Sequence, residues 1–171
     1  TLTAKCKKLG VDIRLNTNVT EAMIDQGKPD AVILAIGADK TACPAPGADA
    51  KVVCDAWQIL DGTVKPKEHV VVIGAGLVGL ETADFLREKG VKDITVVEML
   101  AKPPVLAQAA HGQMLYRRLH GQKVKLMYGA KVKKIEEDAV IVEAKDGEKK
   151  LAPVDQVVVA IGVTPRSELK E

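Results

Sequence analysis

Short apolar runs alternate along the first part of the chain with stretches of helical period. Four of these runs are bounded by turn residues and lie at residues 11–15, 31–36, 70–73 and 94–97. Helical patterns separate several of them, one ending at Gly90 and a later one at Gly121. Strands that alternate with helices are typical of parallel sheets covered by helices. This part of the chain therefore predicts an α/β fold with a central parallel sheet.

The pattern changes near residue 124 to shorter segments of partly alternating polarity. Residues 124–127, 131–136 and 139–143 are of this kind, and an Asp146-Gly147 turn follows them. Period-two alternation and an Asp-Gly turn are typical of antiparallel hairpins. We therefore predict an antiparallel β-meander added to the parallel sheet, followed by a last buried strand over residues 157–160.

Composition narrows the function classes. The chain is 47% hydrophobic and 28% charged with a formal net charge of +2, which is typical of a folded domain. Aromatic residues make up only 2% of it, so base-stacking surfaces are not expected and we predict no nucleic-acid partner. No apolar run approaches the roughly 20 residues that span a bilayer. We predict a cytoplasmic domain without a membrane partner.

The cysteine and histidine spacing does not predict a metal or redox centre. Cys6, Cys43 and Cys54 form no CxxC pair, and the three histidines are scattered. Zinc sites and redox disulfides need closely spaced ligands or thiols. We expect free thiols and no metal site, and the roles of the three cysteines stay open.

A glycine motif carries the clearest functional signal. Gly74, Gly76 and Gly79 form a GxGxxG pattern between an apolar strand and a predicted helix, and a second apolar strand follows. In this setting the first glycine permits the tight turn, the second lets the backbone approach a pyrophosphate, and the third allows close packing of helix on sheet. The helix N-terminus then attracts the phosphates. We predict that this loop binds a dinucleotide through Gly74, Ala75, Gly76, Leu77, Val78 and Gly79.

An acidic residue stands where such a motif needs one. Glu98 ends the second strand 19 residues after Gly79, and Met99 follows it. A carboxylate at this position accepts hydrogen bonds from the adenosine ribose hydroxyls and repels a 2′-phosphate. Glu98 and Met99 are therefore predicted cofactor-binding residues, and NADH is favoured over NADPH, with Lys102 as the one nearby cation. A methyltransferase can also place glycines and an acid in this order, which leaves S-adenosylmethionine as a competing ligand.

An internal repeat indicates how the chain is organised. Residues 30–37 and 155–162 are near copies that both end in Ala-Ile-Gly. Two such strand ends, 125 residues apart, are expected where a chain leaves a neighbouring domain and later returns to it. The stretch between them is then predicted to be an inserted domain.

With these motifs the sequence resembles the NADH domain of flavoprotein pyridine-nucleotide oxidoreductases. The similar segments are residues 31–37, 74–81, 96–99 and 160–165. The nearest resemblance is to the C-terminal region of multidomain old yellow enzyme relatives, the group of 2-enoate reductase, 2,4-dienoyl-CoA reductase and NADH oxidase. Residues 55–62 are similar to the enoate reductases in particular. The resemblance implies a Rossmann-like FAD/NAD(P)-binding fold.

In that family an FAD-binding domain is split by an inserted NADH-binding domain. The resemblance implies an FAD-domain remnant over residues 1–37, an NADH-binding domain over 38–157 and a return segment over 158–171. It also implies partner domains outside this chain, namely the rest of the FAD domain and an FMN-binding barrel, with a [4Fe-4S] centre. We therefore expect the isolated chain to lack a complete active site and to contain no catalytic residue.

The same resemblance implies roles for further residues. Hydride would pass from NADH to FAD, and electrons would continue to FMN and an activated C=C bond of a small enoate substrate. Glu81 would lie near the nicotinamide, and the two Ala-Ile-Gly strand ends would line the path to the flavin through Gly37, Ala160, Ile161 and Gly162. An NADH oxidase or a ferredoxin reductase-type flavoprotein could share this domain. A non-catalytic NAD-binding module is a further alternative, of a different class.

Overall fold

The computed structural model describes residues 1–104 and 110–169. Its helices are α1 (Leu2–Lys8), α2 (Glu21–Gly27), α3 (Ala56–Leu60), α4 (Leu77–Glu88) and α5 (Ala110–Gly121). Its strands are β1 (Ala38–Lys40), β2 (Val53–Asp55), β3 (His69–Ile73), β4 (Asp93–Glu98), β5 (Lys125–Tyr128), β6 (Lys131–Ile135), β7 (Val140–Ala144), β8 (Gly147–Leu151), β9 (Gln156–Val159) and β10 (Val163–Pro165).

The chain divides into two compact units. The central unit is Asp39–Thr164, and the terminal unit combines Thr1–Ala38 with Pro165–Glu171. The predicted end of the inserted domain at residue 157 falls inside β9, whereas the central unit continues to Thr164. The assignment of the two units to an NADH domain and an FAD domain stays a prediction.

A five-stranded parallel sheet forms the middle of the central unit, in the order β2-β9-β3-β4-β5. Its strands are apolar on both faces because both faces are covered. In β3, Val70 and Val72 pack with the buried side chains of α3, α4 and α5, whereas Val71 and Ile73 pack with β6 and β7. The sheet is therefore the middle layer between helices and a three-stranded antiparallel meander, β6-β7-β8.

This arrangement confirms the predicted α/β fold with a central parallel sheet and an added meander. One strand was assigned to the wrong layer. Residues 124–127 were expected in the meander, but β5 pairs in parallel with β4 as an edge strand of the main sheet. The physical reason is the connection, since α5 carries the chain across the sheet and returns it alongside β4, as in a βαβ unit.

The terminal unit has little regular structure in its apolar segments. The runs at residues 11–15 and 31–36 were predicted as strands, but neither is a strand, and Ile33 in the second is 90% exposed. A strand exists only where its backbone groups find a ladder partner. In the described part of the chain neither run has one. The helices of this unit, α1 and α2, each begin at a capping threonine: the Thr1 side chain accepts a hydrogen bond from the Ala4 amide and the Thr20 side chain accepts one from the Met23 amide.

Candidate dinucleotide-binding site

A cavity of about 840 Å³ lies along the carboxyl ends of the parallel strands in the central unit. Its wall includes the ends of β3, β4 and β9 and is mostly apolar. Ligand pockets are generally of this size, and open α/β sheets bind ligands outside the carboxyl ends of their strands. In this sheet the chain order reverses between β3 and β9, because β4 and β5 continue on one side of β3 and β9 lies on the other. The cavity is therefore at the switch point of the topology.

The glycine loop adopts the geometry that its spacing predicts. Gly74 has φ of +105°, a backbone conformation that favours glycine, and a Cβ there would meet the Ala160 carbonyl oxygen at 2.5 Å. The Gly74 amide donates to the Val97 carbonyl at 2.8 Å. At Gly79 a Cβ would collide with the backbone of Gly74. These two glycines let α4 begin close against the sheet.

Neither backbone conformation nor packing requires a glycine at Gly76. Its φ of −67° and ψ of 179° are open to any residue, and nothing lies within 4 Å of the place a Cβ would take. Glycine is modestly favoured over alanine at a helix N-cap, and a ligand that approaches the backbone closely would be a further reason for glycine here. This open cradle on the cavity wall fits a pyrophosphate.

Helix α4 begins at this cradle and presents a favourable end to an anion. Gly76 is its N-cap and supplies no side-chain hydrogen bond, so the first-turn amides of the helix have no capping side chain. The first turn carries no acidic residue. The positive end of the helix dipole is therefore directed at the cavity, where it would favour an anion such as a phosphate.

Glu98 lines the same cavity and also fixes the glycine loop. It is only 7% exposed, and its two carboxylate oxygens accept hydrogen bonds from the amides of Ala75 and Leu100, both at 2.8 Å. A carboxylate has about four acceptor positions, so capacity remains for ribose hydroxyls. Sequence reasoning found the residue but not its contact with the loop. Glu98 therefore holds the glycine loop, through the Ala75 amide, next to the segment that follows β4, through the Leu100 amide.

Glu98 also has an aromatic neighbour in the sheet. Tyr128 is its partner in the β4–β5 register, and its hydroxyl is buried without a hydrogen-bond partner. Burial, followed by the charges of Tyr116 and Glu98, raises the pKa of Tyr128 to about 12. Tyr128 therefore stays neutral beside the carboxylate.

Comparison with known proteins agrees with this geometry. A family model described as pyridine nucleotide-disulphide oxidoreductase matches residues 25–171. The chain belongs to this family. A family defined by pyridine nucleotides decides between the two ligands that the glycine motif left open, in favour of the dinucleotide.

Three individual relatives show how this pyridine nucleotide-disulphide oxidoreductase chain compares. It is 38% identical to a bilirubin reductase of Mediterraneibacter gnavus, over 96% of this chain and 25% of the relative. It is 34% identical to an NADH oxidase of Thermoanaerobacter brockii, over 99% of this chain and 27% of the relative. A solved structure of a 2-naphthoyl-CoA reductase complex matches with a TM-score of 0.81 and 28% identity, over 98% of this chain and 25% of that chain. The chain thus spans about a quarter of the length of each of these three proteins.

Within this family framework, most of the predicted cofactor-binding residues meet at the cavity. Those that line it are Gly74, Gly76, Leu77, Val78, Glu98, Met99, Ala160, Ile161 and Gly162. Ala75 and Gly79 are buried behind the wall, where they hold the loop and the helix in place. Their role in nucleotide binding stays a prediction.

Two predicted residues lie elsewhere. Glu81 is not in the cavity wall; its carboxylate is half exposed and lies 3.1 Å from the Nε2 atom of His111. Gly37 belongs to the terminal unit, where its carbonyl accepts a hydrogen bond from the Arg166 amide at 3.1 Å. Their predicted roles near the nicotinamide and the flavin stay a prediction.

Sequence reasoning assigned no role in the site to Lys40, Asp55 and Trp57, which also line the cavity. Two signals pointed to this segment: the resemblance of residues 55–62 to the enoate reductases, and the capping-box spacing of Asp55 and Gln58. Cys43 also lines the cavity.

A second cysteine, Cys54, lies in β2 next to Asp55. Burial, with a smaller contribution from Asp55, raises the pKa of Cys54 to about 11.

The described residues contain no group of three or more His, Cys, Asp or Glu side chains that could hold a metal ion. Among the helices in the same part of the chain, none is long and apolar enough to cross a bilayer.

Proposed function

We propose that this chain is the NADH-binding domain of a flavin-dependent oxidoreductase that reduces an activated C=C bond. The carrying observation is that the open Gly76 cradle and Glu98 line one cavity at the switch point of the sheet. When bound, NADH supplies a hydride that FAD accepts. The chain's own residues bind and orient the dinucleotide: the α4 N-terminus holds the pyrophosphate, and Glu98 holds the adenosine ribose.

The preference for NADH rests on the charge at Glu98. Its buried carboxylate would repel a 2′-phosphate, and the side chains of Met99 and Leu100, which follow it, carry no charge to offset this repulsion. A match to an NADH oxidase over 99% of this chain supports the same choice. The preference therefore belongs to residues that the chain itself contains.

The substrate class rests on the relatives. A cinnamate reductase of Clostridium sporogenes is 32% identical over 95% of this chain. Cinnamate is a 2-enoate, so this similarity supports a 2-enoate as the substrate. The further domains would lie in the same polypeptide and would hold FAD, FMN and a [4Fe-4S] centre. An NADH oxidase activity, with oxygen as the acceptor, is the second candidate because of the similarity to such an enzyme.

Calorimetric titration of the chain with NADH and NADPH tests the cofactor. We expect NADH to bind and NADPH to bind at least about tenfold more weakly, which corresponds to about 1.4 kcal/mol. No binding of NADH, or tighter binding of NADPH, would contradict the proposal. For the whole polypeptide, NADH oxidation followed without oxygen separates the two acceptors. A 2-enoate that sustains turnover supports the reductase, whereas turnover that requires oxygen supports the oxidase.

A further inference from the structure

Three side chains on the cavity wall have no task in holding the pyrophosphate or the adenosine. Asp55 Oδ2 accepts a hydrogen bond from Lys40 Nζ at 2.5 Å, and the same Nζ lies 5.4 Å from the centroid of the Trp57 ring. All three residues line the cavity that contains the Gly76 cradle and Glu98. We refer to Lys40, Asp55 and Trp57 as the tryptophan cluster.

Local folding holds the Trp57 ring at the cavity. Asp55 ends β2 and caps α3: its Oδ1 accepts hydrogen bonds from the amides of Trp57 and Gln58, and the Gln58 side chain accepts one from the Asp55 amide. Ala56 and Ile59 of the same helix are buried in the core. The helix is therefore anchored at its start and along one side, and Trp57 remains 42% exposed.

An indole ring left this exposed loses much of the free energy that burial would give it. A large aromatic side chain contributes most when its faces are covered. The Lys40 ammonium covers part of one face through a cation–π contact, and Asp55 balances its charge. What remains is a flat apolar surface beside an ammonium group whose three donors are not all used by Asp55.

The order of the strands shows which part of a dinucleotide this surface would meet. Glu98 ends β4, on one side of β3, whereas the tryptophan cluster lies at the end of β2, on the other side. Three inter-strand steps separate β4 from β2, which is roughly 14 Å at about 4.8 Å a step. With the pyrophosphate over β3 and the adenosine ribose at Glu98, the other half of the dinucleotide extends towards β9 and β2.

We propose that the tryptophan cluster binds the nicotinamide riboside half of NADH, an inference that rests on the proposed function. The Trp57 ring packs against the planar dihydropyridine, and Lys40 donates to an oxygen of the carboxamide or the adjoining ribose. Asp55 holds Lys40 and the start of α3 in place and is a positioning residue. The cluster then sets affinity for the nicotinamide half without changing affinity for the adenosine half.

Titration of the full chain with NADH and with ADP-ribose, which lacks the nicotinamide, tests this assignment. We expect Trp57→Ala to weaken NADH binding about tenfold and to leave ADP-ribose binding within about twofold. Trp57→Phe keeps a ring and should stay within about threefold of the wild type for NADH. Lys40→Met should weaken NADH about threefold or more, again without affecting ADP-ribose.

Leu60→Ala is the matched control, because Leu60 is an exposed residue of α3 that does not line the cavity. It should bind both ligands like the wild type. Retained ADP-ribose binding also shows that a variant is folded. If Trp57→Ala does not fold, Lys40→Met decides in its place.

The outcomes separate this inference from the proposed function. A wild-type chain that binds neither ligand overturns both. A wild-type chain that binds both, with cluster variants that lose neither or lose both equally, overturns the inference alone. Selective loss of NADH in Trp57→Ala and Lys40→Met is the expected result.

Discussion

Substitution of Gly76 by alanine separates ligand binding from folding. Its φ of −67° is open to alanine, and the new methyl group would meet no atom within 4 Å. Alanine is a poorer N-cap than glycine by up to about 1 kcal/mol. It also restricts the unfolded chain, which offsets this by about 0.4–1 kcal/mol. The free energy of unfolding should therefore change by less than about 1 kcal/mol.

Binding should respond much more strongly than stability. Under the proposed function, the methyl group would occupy the place where the backbone meets the pyrophosphate, at the end of α4 that has no capping side chain. We expect the NADH dissociation constant to rise at least about tenfold, equal to about 1.4 kcal/mol or more. Calorimetry with NADH measures this, and urea unfolding followed by circular dichroism measures the stability of the same sample.

Gly79→Ala is the matched contrast within the same motif. Its Cβ would overlap the Gly74 carbonyl oxygen and lie 3.0 Å from the Gly74 carbonyl carbon, so the helix must move away from the sheet. Overpacking of this kind costs about 1–3 kcal/mol, and this variant should lose stability as well as affinity. Gly76→Ala that binds NADH like the wild type, or that unfolds as readily as Gly79→Ala, would refute the reasoning.

Three further predictions concern the charged and reactive groups. Glu98→Ala leaves two backbone amides near the cavity without their acceptor. Urea unfolding should show that the free energy of unfolding falls by about 1–3 kcal/mol, and NADH binding should weaken. An unchanged unfolding midpoint would contradict the role of Glu98 in the loop. The hydrogen bond from Lys125, aided by a nearby histidine, lowers the pKa of Asp93, so its stabilisation is present above the unfolded pKa near 4 and is lost as pH falls through the folded value. Unfolding midpoints of Asp93→Asn should therefore vary less between pH 5 and 3 than those of the wild type, by the arithmetic of carboxylate titration. Because burial raises the pKa of Cys54 to about 11, iodoacetamide at neutral pH should label Cys54 more slowly than Cys43, as read by mass spectrometry, and equal rates would contradict this.

The parallel core and the glycine loop could be predicted from sequence because local patterns specify them. The apolar runs that became β3, β4 and β9 are buried on both faces, and no polar position interrupts residues 70–73, 94–97 or 157–159 except Thr95. The glycine motif combines a required positive φ at Gly74 with close packing at Gly79. Each of these constraints acts within a few residues, so it can be recognised in the local sequence.

The features that were missed depend on contacts between distant segments. The run at 31–36 looks like a strand by composition, but a strand also needs a partner. The tryptophan cluster forms because β1 carries Lys40 to the end of β2, 15 residues later in the chain. The periodicity of a segment does not show which distant segment it will contact. For the same reason, the parallel pairing of β5 with β4 could not be predicted from its alternation.

A crystal structure of the chain bound to NADH tests the central claim most directly. We predict the pyrophosphate against Gly76 at the start of α4, the adenosine ribose hydroxyls on the Glu98 carboxylate and the nicotinamide towards the β9 and β2 strand ends. A dinucleotide bound outside this cavity, or bound with its adenosine over β2 and its nicotinamide at Glu98, would contradict the account.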